Sequence, residues 1–218
     1  MIMDGNGRWA QKRLLPRSLG HREGVKTLIR VVTHAFDVGV KYVTVYAFST
    51  ENRFRPKDEV DGLVDLIRKN FETTFRRFIE RGVKIRILGD RAFFPEDVVE
   101  ILNKAEADSA NGQNGTFAIA LNYGGRAEIV KAVNDAILCG EMVTEESFGK
   151  LLYTADQPDP DMLIRTGGEK RLSNFLLYQA AYSELFFTDT LWPDFSDEEF
   201  DELLEEFAGR NRRYGKVK

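Results

Sequence analysis

Thr116-Phe117-Ala118-Ile119-Ala120-Leu121, followed by Asn122-Tyr123-Gly124-Gly125-Arg126, is the stretch on which the fold turns. Six uncharged, mostly apolar residues are too few for a buried helix and suit a strand covered on both faces. A polar, glycine-bearing turn ends the run, and from Arg126 to Leu138 the apolar residues recur at helical spacing. Outward along the chain the same alternation repeats. Tyr42–Phe48, Val83–Leu88, Met162–Arg165 and Leu185–Phe187 read as strands, while Gly24–Val38, Pro56–Arg81, Pro95–Ala110 and Ser196–Arg212 read as helices. Strands separated by helices of this size imply parallel βαβ units. The expectation is an α/β fold with a mainly parallel central sheet flanked by helices. With 218 residues, 43% of them hydrophobic, and no linker or repeat, the chain is expected to form a single domain over residues 1–218. Met1-Ile2-Met3 reads as the last part of a strand whose beginning is absent.

Composition removes several functional classes. The single cysteine, Cys139, excludes a disulfide framework and a cysteine-rich zinc site, suits a reducing cytoplasm, and is read as packing. With two histidines a zinc site has too few ligands. The apolar runs are too short to span a bilayer, so the chain reads as soluble, and a net charge of −4 argues against a general nucleic-acid binder.

In open α/β sheets ligands gather beyond the carboxyl ends of the strands. There the sequence places Asp4, Ser49-Thr50-Glu51-Asn52, Asp90, Asn122–Arg126 and Thr166-Gly167-Gly168-Glu169. Met3-Asp4-Gly5-Asn6-Gly7-Arg8-Trp9 has the chemistry of a metal-diphosphate cradle. Asp4 can hold a divalent cation, Gly5 and Gly7 can take positive φ and offer backbone N–H groups, and Arg8 can fork onto phosphate oxygens. A plain tight turn is the competing reading. In Arg165–Ser173, a strand end opens into a Gly-Gly turn and a helix start, with backbone N–H groups of the turn and helix start adding to two arginines for a second diphosphate and Ser173 as hydroxyl donor or cap; a solvated basic loop competes. Arg17 and His21, four apart near a helix start, can face one anion. His34 sits among apolar neighbours and reads as structural. Magnesium needs only one or two carboxylates plus substrate phosphates, which suits Asp4 with Glu184. Leu63, Leu66, Ile67, Phe71, Phe75 and Phe78 on the long helix read as core, or, with Ala47 and Val83, as the lining of a hydrophobic tunnel between sheet and helix.

Taken in order, Met3–Trp9, Gly20-His21, Tyr46–Asn52, Asn122–Arg126, Arg165–Ser173 and Leu191-Trp192-Pro193-Asp194-Phe195 resemble the motifs of the cis-prenyltransferase family, nearest to the bacterial undecaprenyl diphosphate synthases. The resemblance covers nearly the whole chain. It implies sequential condensation of isopentenyl diphosphate onto an allylic diphosphate such as farnesyl diphosphate, with Mg2+ assisting departure of diphosphate, towards the undecaprenyl lipid carrier for cell-wall glycan assembly. Carried over, it makes Asp4 the key acid and metal ligand, with Glu184 a further ligand. Gly5, Asn6, Gly7, Arg8, Arg17 and His21 bind the allylic diphosphate, with Trp9 beside them. Arg165, Arg171 and Ser173 hold isopentenyl diphosphate, Leu172 lying in the same motif. Asn52, with Ser49, attends the proton that leaves the isopentenyl unit, though released diphosphate is also an acceptor; Thr50, Glu51, Arg53 and Arg55 share that substrate-side segment. The family commonly has tryptophan where this chain has Arg53, and the segment between Cys139 and Thr144 is short for the family. Ala47, Leu63, Leu66, Ile67 and Val83 would limit product length. A homodimer is implied, with Arg213-Tyr214-Gly215 reaching a neighbouring site, in a cytoplasmic enzyme with at most peripheral membrane contact for product release.

Three other readings stand beside this one. A trans-prenyltransferase normally presents aspartate-rich motifs on an all-helical fold, and this chain has neither. A magnesium-dependent phosphohydrolase shares the anion-binding features. A non-catalytic partner subunit would lack key residues, whereas Asp4, Arg8, His21, Arg165, Arg171 and Ser173 are all present, which favours an enzyme.

Overall fold

Thr116–Tyr123 forms a strand buried at every position, with a parallel neighbour on each side, as its uncharged sequence predicts. The computed structural model describes residues 1–140 and 142–210. In chain order the elements are α1 (Asn6–Lys12), α2 (Arg17–Asp37), β1 (Tyr42–Ser49), α3 (Lys57–Glu80), β2 (Lys84–Leu88), α4 (Glu96–Ser109), β3 (Thr116–Tyr123), α5 (Gly125–Cys139), α6 (Glu145–Gly149), β4 (Met162–Arg165), β5 (Glu184–Phe187) and α7 (Asp197–Gly209). Among the described residues every strand pairing is parallel. The α/β class and the parallel sheet flanked by helices are therefore as expected.

The chain divides into two compact units. One comprises Ala35–Pro158 and Leu172–Tyr178 with Met1. Its sheet has the order β1-β3-β2, and Tyr42 and Lys84 both lie opposite Thr116, so the three strands start level. Parallel neighbours need crossovers, and α3 and α4 supply them. Their buried faces carry Val64, Ile67, Phe75 and Phe78, and Val98, Leu102 and Ala105, each large side chain contributing roughly 1.5–3 kcal/mol of burial. Phe78 meets Phe117 of β3 with ring centroids 5.0 Å apart. β1 is irregular at its end: Tyr46 pairs with Ala120 and Phe48 with Leu121, leaving Ala47 as an extra residue.

A buried polar chain runs under β3. The Tyr46 hydroxyl donates to the Tyr123 carbonyl at 3.0 Å, the Tyr123 hydroxyl donates to Glu128 Oε2 at 2.5 Å, and Glu128 Oε1 accepts from the Tyr153 N–H at 2.8 Å. Burial first, and then the nearby carboxylates Glu51 and Glu128, push both phenols above their ordinary range. The unfolded chain releases these protons near pH 10 while the folded chain keeps them, so above pH 10 the unfolded state binds fewer protons. The contribution of these two phenols to stability is thus constant below pH 10 and falls above it, by about 1.4 kcal/mol per pH unit for each phenol. In an alkaline titration, Tyr46 and Tyr123 are expected to yield tyrosinate absorbance only together with loss of circular dichroism. Seven tyrosines titrating near pH 10 with structure intact would contradict this.

The second unit comprises Ile2–His34, Asp159–Arg171 and Gln179 to the end of the described chain. β4 and β5 pair in parallel, and Ile2 bridges in parallel to Arg165. The expected strand at Met1–Met3 is thus one bridge long. Trp192 and Phe195 stack at 5.7 Å, and Thr27 Oγ1 donates to the Pro193 carbonyl at 3.0 Å. Ser196 caps α7 by accepting from the Glu199 N–H, and Asp197, Glu198 and Glu199 lie in its first turn, where the helix dipole favours acids. His34 is structural as expected: Nε2 lies 2.7 Å from Asp201 Oδ1 and the ring meets Phe200 edge-on.

Several expectations need correction. α2 begins at Arg17 rather than Gly24, because Pro16 sets a start that the charged first turns can follow. No helix follows the Gly-Gly turn: Ser173, Asn174 and Leu176 have φ of +47°, +66° and +45°, which a right-handed helix cannot contain. Cys139 is exposed at the end of α5 and so is not a packing residue. Of the residues read as tunnel lining, a reading that burial alone does not decide, Ile67 and Val83 are buried and Ala47, Leu63 and Leu66 half-buried. Arg213-Tyr214-Gly215 and the end of the expected helix Ser196–Arg212 lie outside the described residues. No helix among the described residues is long and apolar enough to cross a membrane.

Candidate functional site

The second unit gathers the N-terminal motif around one carboxylate. Asp4 Oδ1 lies 3.1 Å from Arg8 Nη2, and Asp4 Oδ2 accepts from Arg165 Nη2 at 2.9 Å. Arg165 is buried, and its Nη1 donates to the Arg171 carbonyl at 2.6 Å. Arg8 Nη1 donates to the Gly167 carbonyl at 2.6 Å. The backbone beneath Asp4 is held as firmly, since its carbonyl accepts from both the Trp192 N–H (3.0 Å) and the Thr166 hydroxyl (2.8 Å). Trp192 Nε1 in turn donates to the Gly24 carbonyl at 2.9 Å. The Leu191–Phe195 motif therefore fixes the position of the acid.

Gly5 has the expected positive φ, +112°, and precedes α1, a short helix that Gly5 and Gly7 hide from a propensity reading. Gly7, however, is helical, which corrects the expectation of positive φ. Its missing side chain serves space instead, because a Cβ there would lie 3.0 Å from Arg17 Nη2. Asn6 is seated against two glycines of α2. A Cβ on Gly20 would lie 2.0 Å from the Asn6 carbonyl oxygen, and one on Gly24 would lie 2.1 Å from Asn6 Oδ1. Half-buried His21 follows Gly20 on the same helix. Trp9 Nε1 donates to Asp194 Oδ1 at 2.6 Å, and the Arg13 guanidinium sits 4.2 Å above the Trp9 ring while bonding Asp194 at 3.1 Å.

The Gly-Gly turn behaves differently from its sequence reading. The Gly167 and Gly168 N–H groups donate to the Thr190 and Thr188 carbonyls, both at 2.8 Å. They are occupied within the fold, so anion capture by this loop falls to its side chains. Arg171 is exposed and pairs with Glu169 at 2.5 Å. Glu184, on β5, accepts from Arg210 Nη1 at 2.8 Å. Among the described residues no three histidine, cysteine, aspartate or glutamate side chains converge on a metal position. The donor set fits magnesium only in the mode where one carboxylate and substrate oxygens share it, and Asp4, with a side chain 30% exposed, is suited to that.

In the first unit Ser49 and Asn52 form a reciprocal cap on a 3-10 turn over Thr50–Phe54. The Asn52 N–H donates to Ser49 Oγ at 3.2 Å and the Ser49 N–H donates to Asn52 Oδ1 at 3.0 Å. With its oxygen engaged, the Asn52 amide presents N–H donors. Burial raises Glu51, but hydrogen bonds from Asn174, its own backbone, Ser49 and Thr50 outweigh that and hold its carboxyl below the ordinary range. Arg53 Nε donates to Asn122 Oδ1 at 2.5 Å and its guanidinium lies over Phe93, while Arg55 pairs with Glu59 at 2.9 Å. Asn174 is the residue that sequence reasoning missed. Its Nδ2 donates to Glu51 Oε1 at 2.8 Å, and its Oδ1 and carbonyl accept from the Arg126 and Gly125 N–H groups. Its only local signal is an asparagine, a type tolerated at positive φ, two residues after Leu172. Ser173 is exposed and Leu172 half-buried in the same segment.

Parallel strands and a carboxylate clamped by two arginines define an α/β protein built around an acid-and-guanidinium cradle. The chain belongs to the cis-prenyltransferase, or undecaprenyl diphosphate synthase, family: residues 2–215 match the family model described as "Putative undecaprenyl diphosphate synthase". An isoprenyl transferase of Fusobacterium nucleatum subsp. nucleatum is 50% identical over 219 residues, covering 100% of this chain and 95% of the relative. One from Aquifex pyrophilus is 46% identical, covering 100% and 94%. Among solved structures, lavandulyl diphosphate synthase from Lavandula x intermedia, in complex with dimethylallyl diphosphate, superposes with a TM-score of 0.94 at 30% identity, covering 99% of this chain and 96% of that one. A probable undecaprenyl diphosphate synthase from Campylobacter jejuni gives 0.82 at 33% identity, covering 89% and 93%.

Proposed function

We propose that this chain condenses isopentenyl diphosphate onto an allylic diphosphate primer such as farnesyl diphosphate, forming a cis-polyprenyl diphosphate that serves as the undecaprenyl lipid carrier. The observation that carries the reading is Asp4 held between Arg8 and Arg165 within a chain matched over its full length by isoprenyl transferases. Ionisation of an allylic diphosphate concentrates negative charge on the leaving group, where arginines and a divalent cation gain most. Arg8, Arg17 and His21, with Asn6 and the Gly5–Gly7 backbone, bind the allylic diphosphate beside Trp9. Arg165, Arg171 and Ser173 serve isopentenyl diphosphate. Arg165 acts from a buried position by fixing Asp4 and the Arg171 backbone.

Asp4 is the proposed ligand of Mg2+, and Glu184, now engaged by Arg210, the second carboxylate. Bound magnesium supplies charge neutralisation at the departing diphosphate. Asn52 donates a hydrogen bond rather than accepting a proton, which leaves released diphosphate as the base for the isopentenyl proton. Ala47, Leu63, Leu66, Ile67 and Val83 limit the hydrocarbon tail. A homodimer in the cytoplasm completes the reading, supported by an unusual run of exposed apolar residues on α5: Val130, Val133, Ile137 and Leu138.

Purified protein with farnesyl diphosphate, labelled isopentenyl diphosphate and magnesium is expected to give long polyprenyl diphosphates, and to lose activity on chelation. The same sample is expected to sediment as a dimer. No elongation with any of several primers would refute the reaction, release of inorganic phosphate from simple phosphoesters would favour a phosphohydrolase, and a monomer active at every concentration would remove the dimer.

A further inference from the structure

Asn174 ties the start of α5 to the 3-10 turn at Thr50–Phe54, all within the first unit. Its Oδ1 and its carbonyl accept from the Arg126 and Gly125 N–H groups at 2.9 and 2.7 Å, and its Nδ2 donates to Glu51 Oε1 at 2.8 Å. The N-cap of α5 is Gly124, which has no side chain, so Asn174 supplies from a distance the acceptors that the first N–H groups of the helix need. The bare glycine also makes room: a Cβ on Gly124 would lie 2.5 Å from Thr50 Oγ1 and 2.7 Å from Asn174 Nδ2. Only a carboxamide can do both jobs, because a carboxylate of the same shape accepts from α5 but has no N–H for Glu51.

The segment that carries Asn174 is held in an unfavourable backbone. Ser173, Asn174 and Leu176 have φ of +47°, +66° and +45°, a region that asparagine tolerates and serine and leucine enter less readily. Buried Phe175 pins it there, stacked on Tyr46 at 4.6 Å and edge-on to Tyr123. Strain that its surroundings over-determine collects at functional positions. What the amide connects gives the function. Asn174 follows Ser173, which the proposed reaction assigns to isopentenyl diphosphate, and Glu51 precedes Asn52, which attends the proton leaving the same unit. We propose that Asn174 is a positioning residue for the isopentenyl unit, locking the Thr50–Phe54 turn to the Ser173 segment so that the diphosphate end and the reacting end of one substrate stay in register. The assignment rests on the proposed reaction.

The test is steady-state elongation by the full chain. Asn174→Asp keeps the acceptor for the Arg126 N–H but sets a carboxylate against Glu51, so it breaks the link and spares the cap. It is expected to raise the KM for isopentenyl diphosphate and to lower kcat, each roughly tenfold or more, while the KM for the allylic primer stays within about twofold. Changing Glu51 in that background separates the link from the added charge. Asn174→Asp with Glu51→Gln restores a donor opposite the new carboxylate, with the polarity reversed, and should bring the isopentenyl KM back to within about threefold of wild type. Asn174→Asp with Glu51→Ala has the same charge and no donor, and should not recover. Wild-type constants for Asn174→Asp, a rise of both KM values alike, or equal recovery in the two double variants would overturn the proposal. If Asn174→Asp does not fold, the two double variants compared with each other decide it. A wild type that elongates no primer would instead refute the proposed reaction, and this role with it.

Discussion

Asp4→Ala is expected to lower the rate of isoprenyl transfer by at least two to three orders of magnitude, as loss of one preorganised group at a developing charge usually does. The substitution also leaves Arg165, a buried guanidinium, without its carboxylate, and removing one partner of such a pair commonly costs about 3–5 kcal/mol when both are buried. Asp4 is itself 30% exposed, which places the cost towards or below the lower end. Asp4→Asn keeps the shape and one acceptor for an arginine, so it separates the two effects. Both variants should lose turnover, and Asp4→Asn should largely keep its melting temperature. A second signature follows from electrostatics: removing a negative charge beside a diphosphate site should leave magnesium-free binding of the diphosphate unchanged or tighter. Turnover of Asp4→Asn within tenfold of wild type would remove Asp4 from the chemistry.

Gly20→Ala is expected to be the most damaging single methyl in the chain's helices. Its Cβ would lie 2.0 Å from the Asn6 carbonyl oxygen, 2.9 Å from the Asn6 carbonyl carbon and 3.2 Å from Ala10 Cβ. Those are mostly backbone atoms, which cannot rotate away, so α1 must shift, carrying Arg8 with it. Alanine gains about 1 kcal/mol over glycine in a helix, against an overpacking cost placed by the backbone clash at or beyond the upper end of about 1–3 kcal/mol. The net result should be a fall in melting temperature of roughly 4–10 °C together with weakened activity. Gly62→Ala is the matched control, since glycine there also lies within a helix but nothing stands within 4 Å of the added carbon. That variant should be neutral or slightly stabilised. Equal melting temperatures for the two variants would show that the α1–α2 approach is looser than described.

What was legible in the sequence follows from which forces are local. β3 could be read because eight residues buried on both faces must be apolar almost throughout, and α3 because one face repeats at helical spacing over 24 residues. α1 was not legible: its glycines argue against a helix, and what holds it is the glycine face of α2. Asp4 and Arg8 were readable as members of one local cradle, but Arg165 comes to Asp4 through the bridge from Ile2. The Gly167–Gly168 N–H groups were misread for the same reason, because their acceptors, Thr190 and Thr188, lie on a return segment that the local sequence does not announce. Cys139 was misread because small apolar side chains are usually inside, whereas the last turn of α5 faces outward. Asn174 escaped because its three roles all lie with backbone and side chains far along the chain.

The clamp on Asp4 also orders events during synthesis. Arg165 lies 161 positions after the acid, and Thr166 and Trp192, which hold its carbonyl, later still. The three-stranded sheet has all of its strands once Tyr123 has left the ribosome. A nascent chain can therefore close that sheet while Asp4 still lacks these partners, and the acid-and-guanidinium cradle is assembled only after Trp192 has been made. A chain cut short before Arg165 carries the acid but never the clamp, so every molecule that holds both has been translated at least through Arg165.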